Sequence, residues 1–436
     1  MLQAIKIRLY PNNEQRGILN SLLGSYRFVY NNCLAYKISR YETDKTNTSL
    51  SDLSKHFHGD MRNEFEWLKE HNTKVLKQSI INLEAAYKNF FKQGRGFPKF
   101  KSKHDEQKAR FPQEAIASKT FDEASSRLNL TKTIKGLKFE CSDRDKAYLY
   151  KNKSQIKSIT ITRKKCGHYY ASVLIDGDLL RTMGNPINHS VGIDLGIKTL
   201  LTFSNGTPSI DNPKWIRDNE EKLIKLQKQL SKKTKGSNNR HKAKLKIAKL
   251  HEKIKNQKID FLHNITTKLV NENQVICLED LNVKGMLKNH KLAKAVQELS
   301  LGEMRRQIEY KALWYNRDVS FVDRFYPSSK TCSCCGWKND KLTLADREFI
   351  CEDCGLTIDR DENASVNIEN EGLRIYNIMI AAKAASMIGQ RLPESSRVNG
   401  RKLEDYPLMD EKEVIPLRSN GRLIQEDVKS VKGNFV

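Results

Sequence analysis

Cys332 and Cys335 are separated by two residues, as are Cys351 and Cys354, and fifteen residues lie between the pairs. Each C-x2-C pair can present two thiolates from one tight turn, and four soft, deprotonated sulfurs are what a tetrahedral zinc ion requires. Gly336 and Gly355 follow the two pairs, where such a turn needs positive φ. The spacing predicts a structural zinc ribbon. Cys334 is a surplus thiol, and the spacing favours Cys335 over it. A closed four-cysteine site leaves no open coordination position, so any reaction must belong to neighbouring residues.

Three carboxylates supply a second kind of chemistry. Asp194 lies in the apolar run VGIDLGIK, Glu279 near the end of VICLED, and Asp361 directly after the cysteines in DRDENAS. Acids converging at a sheet edge repel one another unless cations sit between them, and hard oxygen donors suit magnesium or manganese. A two-metal site of this kind can activate water and stabilise the leaving oxygen in phosphodiester cleavage. Gly192 and Gly196 flank Asp194 and are expected to leave room for a phosphate or metal. The string VGIDLGIKT also resembles the first phosphate loop of actin-like and sugar-kinase ATPases. No second glycine-rich, aspartate-containing loop follows it, and that reading leaves the cysteines and the cationic helices unexplained.

The elements that must position these groups are legible from periodicity. AIKIRLYP reads as a strand closed by Pro11 and Asn12. From Glu14 the chain turns helical, with Leu19, Leu22, Leu23, Tyr26 and Tyr30 near helical spacing. Leu76, Ile80, Leu83, Tyr87 and Phe90 mark a second helix ending at Gly94 or Gly96. Lys74, Lys77 and Gln78 lie largely off its apolar stripe, either as solvated residues or as nucleic-acid contacts. From residue 96 the pattern becomes short β runs (RLNL, GLKFE, SITIT, HYYASVLI), a mostly antiparallel domain. Phe97, Phe100 and Phe111 are interleaved there with basic residues, as a stacking surface or as core.

A third region opens at residue 190 with two strands and a tight turn at Asn205-Gly206. Lys222 to Lys258 follows as a helical hairpin broken at Gly236-Ser237, with fourteen Lys/Arg against the single acid Glu252. Further on, VICLED is a buried strand, residues 301–315 an amphipathic helix, and DVSFVDRF another strand. Beyond about 385 the chain is polar and patchy, which predicts a mobile tail.

Composition limits the partners. Seventy-seven Lys+Arg against 52 Asp+Glu give a net charge of +25, so a polyanion is the expected partner. No run of about 18 apolar residues predicts a membrane span. The N-terminus has no apolar signal core, so a cytoplasmic location is expected. Nine cysteines, five of them between 332 and 354, fit a reducing compartment and a metal site rather than a disulfide framework. The remaining four, Cys33, Cys141, Cys166 and Cys277, read as small partly buried side chains.

Taken in order, AIKIRLYP, FPKFKSK, GIDLG, VICLEDL, YPSSKTCSCCG, CEDCG and DRDENASVNI resemble the TnpB (OrfB) family of bacterial insertion sequences, related to type V CRISPR effectors. The resemblance covers residues 1 to about 385. It implies an α/β multidomain chain: an RNase H-like (RuvC) nuclease core at 186–325 and 356–385, with a zinc ribbon inserted at 326–355. It further implies a β-barrel-like wedge domain at 1–12 and 96–185 and a helical recognition lobe at 13–95; the tail at 386–436, expected to be disordered from its composition, lies outside the resemblance. By the same resemblance, Asp194, Glu279 and Asp361 are the catalytic magnesium or manganese ligands, and Asp359 is a supporting or structural acid. The implied partners are a guide RNA from the transposon end and a double- and single-stranded DNA target, in a bacterial or archaeal cytoplasm, near the nucleoid. The protein would read a short motif beside the target, with Lys74, Lys77 and Gln78 as candidate readers. Two rivals share the architecture, a type V CRISPR effector and an RNA-guided repressor that has lost its acids.

Overall fold

The computed structural model describes residues 2–177, 189–197, 199–289, 293–343 and 345–387, together with two short strand pairs between 397 and 423. The expected disordered tail lies largely outside the described residues. Two compact units emerge, Met1–Leu180 with Leu226–Glu252, and Arg181–Lys225 with Lys253–Val436.

The first unit begins with strand β1 (Leu2–Tyr10), whose alternate residues Ile5, Ile7 and Leu9 are buried. Helix α1 (Asn13–Asp44) starts where the Asn12 side chain accepts from the Gln15 amide and the Gln15 side chain accepts from the Asn12 amide, a reciprocal cap. Helix α2 (Thr73–Gln93) is capped by Asn72 and stopped by Gly94, which takes a left-handed conformation at φ 60°. Strands β2 (Gln107–Pro112), β3 (Phe121–Asp122), β4 (Arg127–Leu128), β5 (Leu137–Glu140), β6 (Ile156–Arg163) and β7 (Tyr169–Asp176) complete an antiparallel sheet in the order β2-β6-β7-β1-β5-β4-β3.

That sheet is open, which corrects the barrel-like expectation: its edge strands β2 and β3 do not pair with each other. Helices α1 and α2 pack on β2, and one apolar cluster runs from Ile5 and Phe111 to Leu22, Leu76 and Leu83. The sheet buries its apolar face on helices, so closure is not needed to remove that face from water. Phe111 is core, whereas Phe97 and Phe100 are exposed.

Beyond it, strands β8 (Ser190–Asp194), β9 (Thr199–Phe203) and β10 (Ile210–Asp211) form a meander, and Gly206 makes its turn at φ 73°. Helices α3 (Glu220–Ser231) and α4 (Asn238–Glu272) carry the basic run, and the Arg240 guanidinium closes the loop between them by donating to the Leu230 and Lys233 carbonyls. Strand β11 (Val275–Glu279), helix α5 (Leu301–Tyr315), strand β12 (Asp318–Val322) and helix α6 (Arg360–Met387) follow, with strands β13 (Glu348–Ile350) and β14 (Thr357–Asp359) ahead of α6.

In the second unit the five-stranded order is β10-β9-β8-β11-β12, with β8, β11 and β12 parallel and β9 antiparallel to β8. The sheet is covered on both faces. Ile276 and Leu278 pack towards α4 and α5, while Val275, Cys277 and Val322 pack on α6. Burial on both sides explains why VICLE is a continuous apolar run rather than an alternating one.

Gly192 serves packing rather than ligand room, whereas Gly196 makes a tight turn and also lines a cleft beside Asp194. A Cβ at Gly192 would lie 2.1 Å from the Ser365 carbonyl oxygen and 2.5 Å from the Glu369 nitrogen, so α6 sits directly on β8. At Gly196 it would lie 2.4 Å from the Thr199 carbonyl oxygen, a tight turn between β8 and β9. Three of the other cysteines, Cys33, Cys166 and Cys277, are buried, and Cys141 is half-buried.

Candidate metal centres

The sheet register brings two acids to one edge. Leu278 of β11 pairs with Ile193 of β8, and the next residue of each strand is Glu279 and Asp194. Both are the last residues of parallel strands, beside the point where the antiparallel β9 begins on the other side of β8. In open α/β sheets, ligands bind outside such strand ends. Asp361 comes from the first turn of α6. All three acids line one cleft of about 800 Å³.

Electrostatics separates two of these acids, Asp194 and Glu279, from ordinary surface carboxylates. Burial, reinforced by the charge of Asp361, pushes Asp194 up to about 6. Burial and the charge of Asp194 push Glu279 up to about 7. Hard oxygen donors of this kind could hold a divalent cation, whose charge would favour their ionised form. The adjacent Asp280 behaves oppositely. Although burial opposes it, the Arg305 and Arg324 guanidiniums hold its carboxyl below the usual range, and Arg324 Nη2 lies 3.1 Å from Oδ2.

Asp359 and Asp361 part in the same way. Asp359 Oδ1 accepts from the backbone amides of Asp361 at 2.9 Å and Glu362 at 3.1 Å, so it caps α6. Asp361 instead faces the cleft, with Arg360 Nη2 3.0 Å from Oδ1 and Arg347 Nη1 3.8 Å from Oδ2. We expect Asp359→Ala to destabilise the start of α6 by about 1 kcal/mol, and Asp359→Asn, which keeps an accepting oxygen, to retain nearly all of the wild-type activity. Initial rates for these two variants beside Asp361→Asn decide it: equal losses from Asp359→Asn and Asp361→Asn would contradict the division of roles.

Lys214, Arg217, Arg324, Arg347 and Arg360 also line the cleft. Cationic groups around a carboxylate cluster suit a substrate whose phosphates approach while a metal neutralises the acids. Sequence reading did not pick out these residues, because an isolated Lys or Arg in a chain this basic carries no local signal.

It also missed Asn363 and Asn367, which are buried one turn apart on α6. Asn363 Nδ2 donates to the Thr331 carbonyl at 2.7 Å, and its Oδ1 accepts from the Ser333 amide at 3.0 Å. Asn367 Nδ2 donates to the carbonyls of Ser328 at 2.7 Å and Thr331 at 2.6 Å. The pair pins the segment leading into the first cysteine knuckle to the helix that carries Asp361. Two asparagines four residues apart on one helix face were the available signal.

The four cysteines of the spaced pairs come together. Cys332 Sγ lies 3.6 Å from Cys354 Sγ, Cys335 Sγ lies 3.5 Å from Cys351 Sγ, and all four sulfurs fall within 4.8 Å of one another. A tetrahedron with 2.3 Å Zn–S bonds has edges of about 3.8 Å, so the cluster fits zinc. Gly336 and Gly355 adopt φ 81° and 73° and donate to the Cys332 and Cys351 carbonyls, closing the two knuckles. Cys334 is exposed and stands outside the cluster. Phe349, Trp337, Leu342, Leu356 and Ile358 give the ribbon a small core of its own.

In the first unit, Lys74 is exposed and Lys77 and Gln78 are half-buried on the first turns of α2. They are remote in sequence from the acids.

Comparison with known proteins places this architecture. A sequence profile described as "Probable transposase" of the OrfB IS605 type matches residues 181–290, one described as "Cas12f1-like, TNB domain" matches 302–368, and one described as "Helix-turn-helix domain" matches 1–46. Residues 2–44 of the last span form β1 and the single helix α1. A Streptomyces pristinaespiralis protein named "Putative RNA-guided DNA endonuclease" is 35% identical over 93% of this chain and 96% of its own length. The Escherichia coli K12 protein "Putative RNA-guided DNA endonuclease InsQ" is 32% identical over 84% of this chain and 91% of its own. A Cas12f1 solved as a complex with guide RNA and target DNA superposes with a TM-score of 0.54 over 85% of this chain and 99% of its own, at 16% identity, and so shares the fold. With 35% identity sustained along nearly the whole length of the Streptomyces relative, the chain belongs to the TnpB (OrfB) family of insertion-sequence proteins.

Proposed function

We propose that this chain is a transposon-encoded, RNA-guided DNA endonuclease whose second unit is an RNase H-like (RuvC) nuclease with an inserted zinc ribbon. The observation that carries the reading is the convergence of Asp194, Glu279 and Asp361 in one cleft rimmed by Lys214, Arg217 and Arg347. The strand order supports it: a three-stranded meander extended by two parallel strands, with acids at the ends of the first and fourth. Asp194, Glu279 and Asp361 would hold magnesium or manganese. When bound, these ions supply an activated water and charge stabilisation at the leaving oxygen. The chain's own residues do the rest. Asp280, paired with Arg305 and Arg324, fixes the end of β11, Asp359 fixes the start of α6, and the basic rim orients the phosphate.

The sheet and helices of the first unit are assigned as the wedge domain (1–12, 96–185) and recognition lobe (13–95). A guide RNA from the transposon end and a DNA duplex, opened to single strands, are the partners, in the cytoplasm. Among the described residues no helix is long and apolar enough to cross a membrane. The three acids favour a nuclease over a repressor that has lost them.

The reading is tested by purifying the protein with co-expressed flanking RNA and challenging it, with magnesium, with duplex DNA carrying a randomised stretch beside the match. A short flanking sequence is expected to emerge among the cut products. Replacing Lys74, Lys77 and Gln78 by Ala should relax that preference while cutting of the wild-type site falls about tenfold or more, as for one or two lost base contacts. Unchanged preference would remove these three as readers, and absence of both bound RNA and any cut would remove the function.

A further inference from the structure

The turn that follows β12 contains an aromatic residue with no part in the core. Phe325 is 85% exposed, more than any other large apolar side chain among the described residues. Burying a phenylalanine is normally favourable by a few kcal/mol, so a ring fixed in water has that much to gain from a partner.

The turn is defined. The Phe325 amide donates to Asp323 Oδ1 at 2.8 Å, and the Tyr326 amide donates to the Asp323 carbonyl at 3.0 Å. One residue before Phe325, Arg324 is tied to Asp280. After it, the Ser328 amide donates to the Tyr326 carbonyl at 2.8 Å, and Asn367 grips the Ser328 carbonyl from α6. Phe325 therefore sits in a segment fixed at both ends and is not left exposed by a loose loop.

Phe325 is not itself among the residues that line the catalytic cleft, but its neighbours on both sides are, and they select the partner. Arg324, Tyr326, Ser328 and Ser329, from the same segment, line the cleft that holds Asp194, Glu279 and Asp361. A ligand that brings a phosphate to those acids carries a planar, weakly polar ring one sugar away. We propose that Phe325 is a stacking platform for an unpaired nucleobase next to the scissile phosphate. This rests on the nuclease reading above. A base inside a duplex is already stacked on both faces and presents no free face to an isolated ring, whereas a separated strand does. Stacking is indifferent to base identity, as a guide-programmed enzyme requires of this contact. Phe325 is thus a positioning residue, and the acids remain the reacting groups.

The test uses the full chain with its RNA and a matched duplex in magnesium. Phe325→Ala should slow single-turnover cutting roughly 5- to 100-fold, the range expected for one lost base stack, while target binding and zinc content stay at wild-type levels. Phe325→Trp should restore most of the rate, which a merely structural role would not require. An abasic nucleotide walked across the cut region should slow the wild type at one position, and at that position Phe325→Ala should be indifferent to the missing base. A 2-aminopurine placed there should be quenched on binding to Asp194→Ala, and the quench should disappear when Phe325→Ala is added. Wild-type cutting by Phe325→Ala, or an abasic effect that persists in it, would overturn the proposal and leave the nuclease reading intact. Phe325-dependent quenching in a wild type that never cuts would instead leave the platform standing and sink the nuclease reading.

Discussion

Replacing Asp194 by Asn will abolish DNA cutting and, at the same time, raise the melting temperature of the metal-free protein. The two effects have one cause. In the metal-free fold, burial and then the charge of Asp361 hold Asp194 at about 6, and burial and then Asp194 hold Glu279 at about 7. A carboxyl whose pKa is raised by folding disfavours the folded state once it ionises. The penalty is absent below the unfolded pKa, near 4, grows as pH rises, and is complete above the folded pKa. An amide of the same shape removes that charge, and the gain should be on the order of 1–3 kcal/mol at pH 8 and roughly half of that at pH 5. Magnesium should raise the melting temperature of the wild type, increasingly so between pH 6 and 8 as the carboxyls lose their protons, and should raise that of Asp194→Asn far less. Cutting should fall on the order of 10³–10⁴-fold, as when one member of a catalytic set is removed, with RNA and target binding retained. A melting temperature that falls in the variant at pH 8 would mean that Asp194 is a structural acid.

The zinc cluster should separate its cysteines just as sharply. Cys351→Ser is expected to lose zinc and most of the cutting, and Cys334→Ser to lose neither. In small zinc-finger peptides, metal binding is worth about 10–16 kcal/mol of apparent free energy, far more than a core built around Phe349, Trp337 and Leu356 can replace. Damage should spread from the ribbon to the acids, because the Arg360 amide donates to the Arg347 carbonyl at 2.8 Å and Asn363 and Asn367 hold residues 328–333. Metal analysis, limited proteolysis of the 326–359 region and cutting rates should therefore move together in Cys351→Ser. Zinc retained with full activity in that variant would contradict the cluster.

Much of this was legible in the chain because the signals are local. C-x2-C spacing is set by one turn, so Cys332, Cys335, Cys351 and Cys354 could be chosen over Cys334. VICLE is apolar throughout because helices cover both faces of β11, and Glu279 marks where that cover ends. What could not be read depends on partners distant in sequence. Gly192 looked like room for a ligand, but the close approach is that of Ser365 and Glu369, more than 170 residues away. Asp280 and Glu279 are adjacent and alike until Arg305 and Arg324 pair with one of them. The open edge of the first sheet follows from helices α1 and α2 packing on β2, which strand periodicity does not encode. Asn363 and Asn367 have meaning only beside the carbonyls they hold.

The central claim is that an RNA chooses the DNA and that Asp194, Glu279 and Asp361 cut it. The most direct measurement is cleavage, in magnesium, of a plasmid matched to the co-purified RNA, beside a plasmid carrying a scrambled match, by the wild type and by Glu279→Gln. Cutting of the matched plasmid alone, by the wild type alone, with both proteins retaining RNA and bound target, is the predicted result. Cutting that ignores the match, or that survives in Glu279→Gln, would contradict the account.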